Sequence, residues 1–558
     1  MKKLAILLLT MLASGLSARA ERPRVYALTG ARIITAPGQA IDSGTIVLRD
    51  GLIESVGKEV KPPADASILD ATGKTVTAGF IDACTDIGQK KAEATVAAQP
   101  GPAGPPAPAR EPRPGAVHPI ARVHPEKDVV DTLLIDAALF EKHRAMGFTT
   151  AVTMPGEGIL RGSAAVIDLG AEPLSGAVVR AKVGQVIGFD YSGAIRSYPD
   201  SLMGVIATIR QALLDAQREA IWSARYQANP AGMQRPDYLG AYGALAQVTS
   251  GRTPAIFDAE DPGNVQRAIN ISKEFALNAM IIGSGAESVE RGAVSALKKA
   301  GYPLLLPLDF PDKPKVKDPD EALNVTLQDL EKWEAAPANP ARLQDAGVGF
   351  ALGTCRLDTP ADFTTRLRQA IDKGLTAQTA LAALTTAPAK YFGLDQSLGT
   401  LEAGKIANLV VFEGAAADGA GVFGEKSKPS QVFVDGVKFD IEKKKSKGDP
   451  DAVVDPRGTW SVTYTFGSRT INRAWTITGD KGDYSGTTET ASGTVDFISI
   501  KLEGNELTVR VPGQGGRGDQ EIVVVITGDT FEGSGESSSG GSFPVKGTRT
   551  VNPQGGAR

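Results

Sequence analysis

The sequence predicts an α/β protein: a (β/α)₈ TIM-like barrel with a composite β-sandwich, plus a C-terminal all-β module. Short apolar segments alternate with stretches of helical period from about residue 80 to residue 393. Strand-like segments flank that region on both sides, and a further period-two region begins near Gly458. Regular alternation of strands and helices is typical of a parallel sheet, and over this length it favours a closed barrel.

The β-sandwich is predicted from two distant parts of the chain. Between Val25 and about Ile68, short apolar segments are separated by Gly and Asp-Gly turn signals, a pattern of strands and hairpins. The same pattern of short apolar segments and turn signals recurs from Leu398 to about Phe439. We therefore assign residues 21–75 and 397–440 to the sandwich and residues 76–396 to the barrel.

Within the barrel, periodicity predicts individual elements. The predicted strands are Thr149–Met154, Pro254–Phe257, Ala279–Ile282, Tyr302–Pro307 and Gly347–Leu352. The predicted helices are Asp131–Ala145, Leu202–Tyr226, Val265–Phe275, Ser288–Ala300 and Ala361–Asp372. The stretch between Ala164 and Ile187 fits neither period clearly.

Three further segments complete the organisation. Residues 96–116 are rich in Pro, Gly and Ala, which predicts an irregular insertion after the first barrel strand. Residues 441–457 contain a run of lysines followed by Gly-Asp-Pro and are predicted to be a linker. Residues 458–552 alternate with period two over several short segments, which predicts a small barrel or sandwich of about six to eight strands.

The first 20 residues have the features of a secretory signal peptide. Lys2 and Lys3 precede an apolar run that reaches about Leu12, and Ala18-Arg19-Ala20 has the form of a cleavage site. We expect the mature chain to be periplasmic or secreted, with no integral membrane segment, because no later stretch approaches the roughly 18 apolar residues of a spanning helix.

Composition limits the possible functions. The chain has 60 Lys+Arg and 64 Asp+Glu, a formal net charge of −4, so we expect no nucleic-acid partner. Two cysteines are too few for a disulfide framework or a Cys₄ zinc site. Three histidines could form one metal site if they converged.

Three segments of the chain contain distinctive motifs. Residues 78–88 read AGFIDACTDIG, residues 347–355 read GVGFALGTC, and a longer segment from Gly374 reads GLTAQTALAALTTAPAKYFGLDQSLGTLEAGKIANLVVFEG. The first resembles the first barrel strand of the metal-dependent amidohydrolase superfamily, whose pattern is Pro-Gly-(Phe/Leu)-Ile-Asp-x-His-x-His. The second resembles the eighth strand of that superfamily, Gly-Val-x-x-Ala-Leu-Gly-(Thr/Ser)-Asp, and the third resembles its return into the sandwich. The similarity is greatest to the exported imidazolonepropionase-like members.

The resemblance implies a hydrolase that acts on non-peptide C–N bonds with zinc as the usual metal, but the ligand positions have changed. Five positions correspond to metal ligands of the family, and none keeps the family residue: Cys84, Asp86, Asp258, Ser284 and Cys355. We therefore expect no metal cofactor. The resemblance also places Cys84 and Cys355 on adjacent closing strands, which implies a possible disulfide between them.

Several alternatives remain at this point. Asp86 and Asp258 are candidates for a catalytic acid/base pair, and Cys84 and Cys355 with these aspartates are candidates for an altered metal site. The loop histidines His118 and His124 are further candidate ligands. Arg161 and Arg356 are possible ligand contacts from their positions alone.

The leading hypothesis is a metal-free, non-catalytic protein that binds an unknown small-molecule ligand, pairs with a metal-competent paralogue or forms a homo-oligomer. The alternatives are an active hydrolase with an altered site, and a binding or adhesion function of the C-terminal module.

Overall fold

The computed structural model describes most of the chain. The described residues are 25–89, 117–170, 174–191, 198–289, 292–311, 313–314, 322–357, 359–415, 421–441, 448–449, 452–466, 469–480, 482–490, 493–512, 519–537 and 542–551. The predicted signal peptide, the Pro-rich insertion through residue 116 and the lysine run of the linker lie outside them.

A composite sheet joins the two ends of the predicted sandwich. Within the described residues its strands are β1 (Val25–Ala36), β2 (Gln39–Arg49), β3 (Leu52–Gly57), β4 (Ser67–Asp70), β5 (Thr75–Ala78), β14 (Leu409–Glu413), β15 (Lys428–Val434) and β16 (Val437–Asp440). β14 pairs antiparallel with β5, which joins the late strands to the early ones. One apolar core contains residues from both parts, including Leu28, Leu48, Leu409 and Phe433.

The central sheet has eight strands in sequential order around a nearly closed barrel. These are β6 (Phe80–Thr85), β7 (Phe148–Thr153), β8 (Leu160–Asp168), β9 (Val178–Gly188), β10 (Ala255–Asp258), β11 (Ala279–Ile282), β12 (Leu304–Pro307) and β13 (Phe350–Gly353). The TIM-like α/β architecture predicted from the sequence is confirmed.

The helices lie mainly between and after these strands. They are α1 (Ala137–Ala145), α2 (Leu174–Ala177), α3 (Leu202–Ala228), α4 (Gly240–Thr249), α5 (Pro262–Glu274), α6 (Ala293–Ala300), α7 (Leu327–Ala335), α8 (Asn339–Ala346), α9 (Phe363–Asp372), α10 (Ala377–Leu384) and α11 (Thr386–Tyr391). Short 3₁₀ turns span Val129–Thr132, Ala336–Ala338, Pro360–Asp362 and Gly421–Phe423. No helix in the described part of the chain has both the length and the apolar character needed to cross a membrane.

One strand departs from the all-parallel arrangement of a (β/α)₈ barrel. β8 runs antiparallel to both β7 and β9. Only residues 154–159 join β7 to β8, which is too short for a parallel crossover of a dozen or more residues. The chain therefore turns back as a hairpin. The first residues of β8 consequently lie at the end of the barrel where the parallel strands finish, which we call the mouth.

Asn408 links the barrel to the composite sheet from its position just before β14. Its side-chain amide donates to Thr150 Oγ1 at 3.0 Å and to Asp168 Oδ1 at 2.9 Å, on β7 and β8. Its carbonyl oxygen accepts from the backbone N–H of Asp435 at 2.7 Å. All these groups are wholly or partly buried, so satisfying them fixes how the two sheets meet.

The C-terminal module is a nine-stranded antiparallel sheet within the described residues, more than the predicted six to eight strands. The strands are β17 (Gly458–Phe466), β18 (Arg469–Asp480), β19 (Asp483–Thr490), β20 (Gly493–Asp496), β21 (Ser499–Glu503), β22 (Glu506–Val511), β23 (Gln520–Thr527), β24 (Thr530–Ser537) and β25 (Ser542–Val551). The backbone N–H of Phe497 donates to Gly486 of β19, and that of Ile498 donates to Arg510 of β22. The two edges of the sheet therefore meet, around a core that includes Trp460 and Trp475.

Candidate functional site

The first and last barrel strands meet at a seam that includes both cysteines. Cys84 and Cys355 form a disulfide, with their Cα atoms 5.3 Å apart. The backbone N–H of Cys355 also donates to the carbonyl oxygen of Cys84 at 2.8 Å. The structure thus contains the disulfide expected from the sequence, and in this state neither sulfur is a thiolate that could bind a metal.

Asp82 holds the same seam from the outer side of β6. The backbone N–H and the hydroxyl of Thr354 donate to its carboxylate at 2.9 and 2.5 Å, and the N–H of Cys84 donates at 3.3 Å. Burial raises the pKa of Asp82 to about 7, although the hydrogen bonds from Thr354 and Cys84 oppose that rise. These contacts agree with a structural role for Asp82.

His143 of α1 is buried against Asp82 and is not on a solvated helix face. Its Nδ1 lies 3.0 Å from the carbonyl oxygen of Leu139, and its Nε2 lies 3.8 Å from Asp82 Oδ2. The His143 side chain is 1% exposed, and burial lowers its pKa. The imidazole is therefore part of the packing between α1 and the seam.

A cluster of alternating charges occupies the mouth around Asp258, at the end of β10. Arg161, at the start of the reversed strand β8, donates to Asp258 Oδ2 at 2.8 Å and to Asp190 Oδ2 at 2.9 Å. Arg356 forms an ion pair with the other carboxylate oxygen of Asp258 and donates to the carbonyl oxygen of Gly283 at 2.7 Å. Asp258 therefore lies between two guanidinium groups.

These partners determine the protonation state of Asp258. Burial by itself would raise its pKa, but the charges and hydrogen bonds of Arg161 and Arg356 lower the pKa below its ordinary value. The side chain of Arg161 is only 5% exposed, so the pairing is little screened by solvent. Asp258 is consequently a carboxylate at neutral pH and is unsuited to be the acid of an acid/base pair.

Arg356 reaches Asp258 through an uncommon backbone conformation. Its φ is 64°, in the left-handed region that residues with a Cβ seldom adopt. This bend directly after Cys355 turns the guanidinium towards the end of β10. Arg161 and Arg356, the two possible ligand contacts, are thus both paired with Asp258, and their contact with a ligand stays a prediction.

Ser284 lies in a turn after β11 that is closed by a buried glutamate. Glu287 accepts hydrogen bonds from the N–H of Ser284 at 2.5 Å, from its hydroxyl at 3.1 Å and from the N–H of Gly285 at 3.2 Å. Asn339 donates to the other oxygen of Glu287 at 2.7 Å. Ser284 therefore stabilises a loop next to the mouth.

The remaining candidates do not assemble into a second site. Asp86 is exposed after β6, and within the described residues no hydrogen bond or ion pair joins it to Asp258. His118 packs edge-on against Tyr242 of α4, and its Nδ1 accepts a hydrogen bond from the N–H of Ile120. His124 Nδ1 lies 3.5 Å from Glu126 Oε1.

The side chains at the family ligand positions do not fit a catalytic metal. Zinc sites use imidazoles, thiolates or carboxylates with free lone pairs. Of the five positions, two form a disulfide, one carboxylate is shared by two arginines, and one is a serine hydroxyl, which leaves only the exposed carboxylate of Asp86. Across the described ranges, no group of three or more His, Cys, Asp or Glu side chains could hold a metal.

Sequence reasoning missed Asp190 and Thr354 as partners in this region. Thr354 lies in the eighth-strand segment GVGFALGTC, directly before Cys355, the position at which the family has Asp. Asp190 follows β9, just beyond the stretch of unclear period that ends at Ile187, and no sequence signal placed it near Arg161.

Comparisons with known proteins agree with the fold. The model of the amidohydrolase family matches residues 335–453. A dihydroorotase from Anaeromyxobacter dehalogenans is 40% identical over 58 residues, which is 10% of this chain and only 13% of that protein. The resemblance to the amidohydrolase superfamily is confirmed.

A solved structure shows the same architecture. An amidohydrolase from Thermotoga maritima matches with a TM-score of 0.58 and 22% identity, covering 74% of this chain and 100% of that one, and at this identity the likeness shows the fold alone. A Xaa-Pro dipeptidase with bound methionine matches with a TM-score of 0.44 and 16% identity, covering 75% and 100% of the two chains; that score is too low to support a conclusion.

Proposed function

We propose that this member of the amidohydrolase superfamily is an exported protein that does not perform metal-dependent hydrolysis. Its barrel then acts as a non-catalytic ligand-binding or partner subunit. The observation that carries the proposal is the pairing of Asp258 with Arg161 and Arg356, at a position that corresponds to a metal ligand in the family.

The electrostatics of the mouth support this proposal. In the family chemistry a divalent cation lowers the pKa of a bound water and polarises the scissile carbonyl. Two guanidinium groups already neutralise Asp258, and both would repel a divalent cation brought to the same carboxylate. The charge that a metal would supply is thus replaced by side chains that cannot activate water in this way.

The disulfide supports the same proposal from a second position. Cys84 and Cys355 correspond to ligands on the first and eighth strands, and their pairing withdraws both sulfurs from coordination. An oxidising exported compartment favours such a bond, which agrees with the signal peptide expected from residues 1–20. A role for the C-terminal module in binding stays a separate prediction.

The test is the metal content of the purified mature protein, together with hydrolysis of dipeptide and imide substrates with and without added zinc. We expect metal well below one equivalent after dialysis, and no hydrolysis that zinc restores. Stoichiometric metal with activity abolished by a chelator would overturn the proposal.

A matched variant sharpens the test. Asp258→Asn removes the carboxylate but keeps a similar size, so it should leave the metal content unchanged. A fall in bound metal in that variant would identify Asp258 as a true ligand and contradict the proposal.

A further inference from the structure

The segment that follows β13 contacts three separate parts of the molecule. We call its described residues, 354–357 and 359–362, the strap. Its first residues belong to the seam with β6, its middle reaches the charge cluster at the mouth, and its end touches the C-terminal module.

The seam between β13 and β6 has no strand ladder registered in the described residues, although the two strands lie side by side. They are joined by the disulfide, by the Cys355-to-Cys84 backbone hydrogen bond, by the two hydrogen bonds from Thr354 to Asp82 and by a hydrogen bond from the Thr354 hydroxyl to that of Thr85. The covalent bond is the contact that fixes Cys355 itself to β6.

The end of the strap anchors the C-terminal module. Arg510 on β22 donates to Asp362 Oδ2 at 2.5 Å and also bonds the hydroxyl of Thr359. Its position is fixed within the module by Asp519, 3.0 Å away. The Arg510 side chain is 17% exposed, so this is a partly desolvated contact between module and barrel.

We propose that the Cys84–Cys355 disulfide is a redox-sensitive latch that holds the strap in place and through it fixes both the Arg356–Asp258 contact and the docking of the C-terminal module. Cys355 is the second residue of the strap, and Arg356 and Thr359 follow it within four residues. Freeing Cys355 from β6 therefore loosens the mouth and the module contact together. The inference does not depend on whether the barrel is catalytically silent.

The chemical step needs a dithiol reductant. A reductant thiolate attacks the sulfur of Cys355, which is partly exposed whereas Cys84 is only 3% exposed. The protein disulfide breaks, and Cys84 leaves as a thiolate that takes up a proton. The second reductant thiol then attacks the mixed disulfide and releases Cys355 as a thiol, so two electrons pass to the protein and the reductant becomes a cyclic disulfide.

Hydrogen exchange of the full-length protein tests the latch, with and without dithiothreitol. After reduction, we expect exchange to rise about tenfold or more at residues 354–362 and at β22 around Arg510. The amide of Cys355 is the most direct probe, since it bonds Cys84 across the seam. The core of the composite sheet around Leu28 should keep its protection.

Two variants separate the causes. The double variant Cys84→Ser/Cys355→Ser should exchange like the reduced protein and should not respond to dithiothreitol. Arg510→Gln in the oxidised protein should loosen β22 while the amide of Cys355 stays protected. If the double variant does not fold, the comparison of oxidised and reduced wild-type protein still tests whether the disulfide holds the strap.

Two results would overturn the latch. One is unchanged exchange at both the strap and β22 in protein whose two thiols have been titrated as free. The other is a rise in exchange throughout the molecule, including the composite sheet, which would show that the disulfide stabilises the whole fold and not the strap in particular.

Discussion

Thr354 donates both its backbone N–H and its hydroxyl to the carboxylate of Asp82, at 2.9 and 2.5 Å, across 272 residues of sequence. Asp82 is completely buried, and a buried carboxyl without partners would be strongly destabilising. This pair therefore aligns the last barrel strand on the first and brings Cys355 within bonding distance of Cys84.

Gly353→Ala should disrupt the seam. A Cβ at this position would lie 2.7 Å from the backbone nitrogen and 2.8 Å from the carbonyl oxygen of Cys84, so the backbone would have to shift. We expect a loss of about 1 to 3 kcal/mol in the free energy of unfolding, as in other overpacked sites. Urea denaturation measures the loss.

The matched control for that change is Gly156→Ala. A Cβ on Gly156 meets no atom within 4 Å, and its φ is outside the left-handed region. It should leave the free energy of unfolding within about 0.5 kcal/mol of wild type. Equal losses in the two variants would contradict the close contact described for Gly353.

The oxidation state of the cysteines gives a second prediction. Protein unfolded without reductant should contain no free thiol, and reduction should release two. The disulfide closes a loop across 271 residues, and its reduction should open the strap while the composite sheet stays folded. Two free thiols in the unreduced, unfolded protein would contradict the bond.

Asp258→Asn should destabilise the fold even though Asp258 lies at the mouth. The change leaves the buried guanidinium of Arg161 with Asp190 alone and removes the charge paired with Arg356. We expect a loss of about 3 kcal/mol, typical of breaking a buried ion pair, measured by urea denaturation.

Glu274→Gln is the control for that prediction. It breaks the Arg210–Glu274 pair, whose side chains are 41% and 43% exposed, so the cost should be below about 1 kcal/mol. Similar losses at the two sites would show that the cluster around Asp258 is as weak as an exposed ion pair.

The buried carboxyl of Asp168 should make the free energy of unfolding depend on pH. Burial raises its pKa to about 7 from an ordinary value of 3.8, although hydrogen bonds from Asn408 and Thr150 oppose the rise. Between these values the folded state holds a proton that the unfolded state releases. The contribution of Asp168 to stability is therefore complete below about pH 4 and is lost as the pH rises through about 7.

Asp168→Asn should remove this loss while keeping an oxygen to accept from Thr150 and Asn408. Relative to wild type, the variant should gain about 2 to 3 kcal/mol between pH 5 and pH 8. Urea denaturation at both pH values tests this. The raised pKa of Asp82 contributes the same pH dependence to both proteins and therefore cancels in the comparison. A constant difference between the two proteins would contradict a raised pKa for Asp168.

Local periodicity was sufficient to find many of the elements. The predicted strand Ala279–Ile282 coincides with β11. The predicted helix from Leu202 to Tyr226 begins at the same residue as α3 and ends two residues before the end of α3. These segments combine clear apolar periods with distinct boundaries, which is the information that local sequence contains.

The direction of β8 could not be predicted in the same way. A buried strand has the same continuous apolar pattern whether its neighbours are parallel or antiparallel. The short connection from β7 and the pairing on both sides decide its direction, and that direction is what brings Arg161 to the mouth.

The amino-acid sequence alone predicted the architecture, and the well-matched flanks of the first and eighth strands placed Cys84, Asp86 and Cys355 at family ligand positions and made the cysteine pair possible. The positions of Asp258 and Ser284 rest on weaker matches.

The surroundings of Asp258 became known only from the folded structure. Its partners Arg161 and Arg356 lie 97 and 98 residues away along the chain, and Asp190 pairs with Arg161 from the segment after β9. Long-range contacts of this kind arise from the closure of the barrel, and no local pattern encodes them.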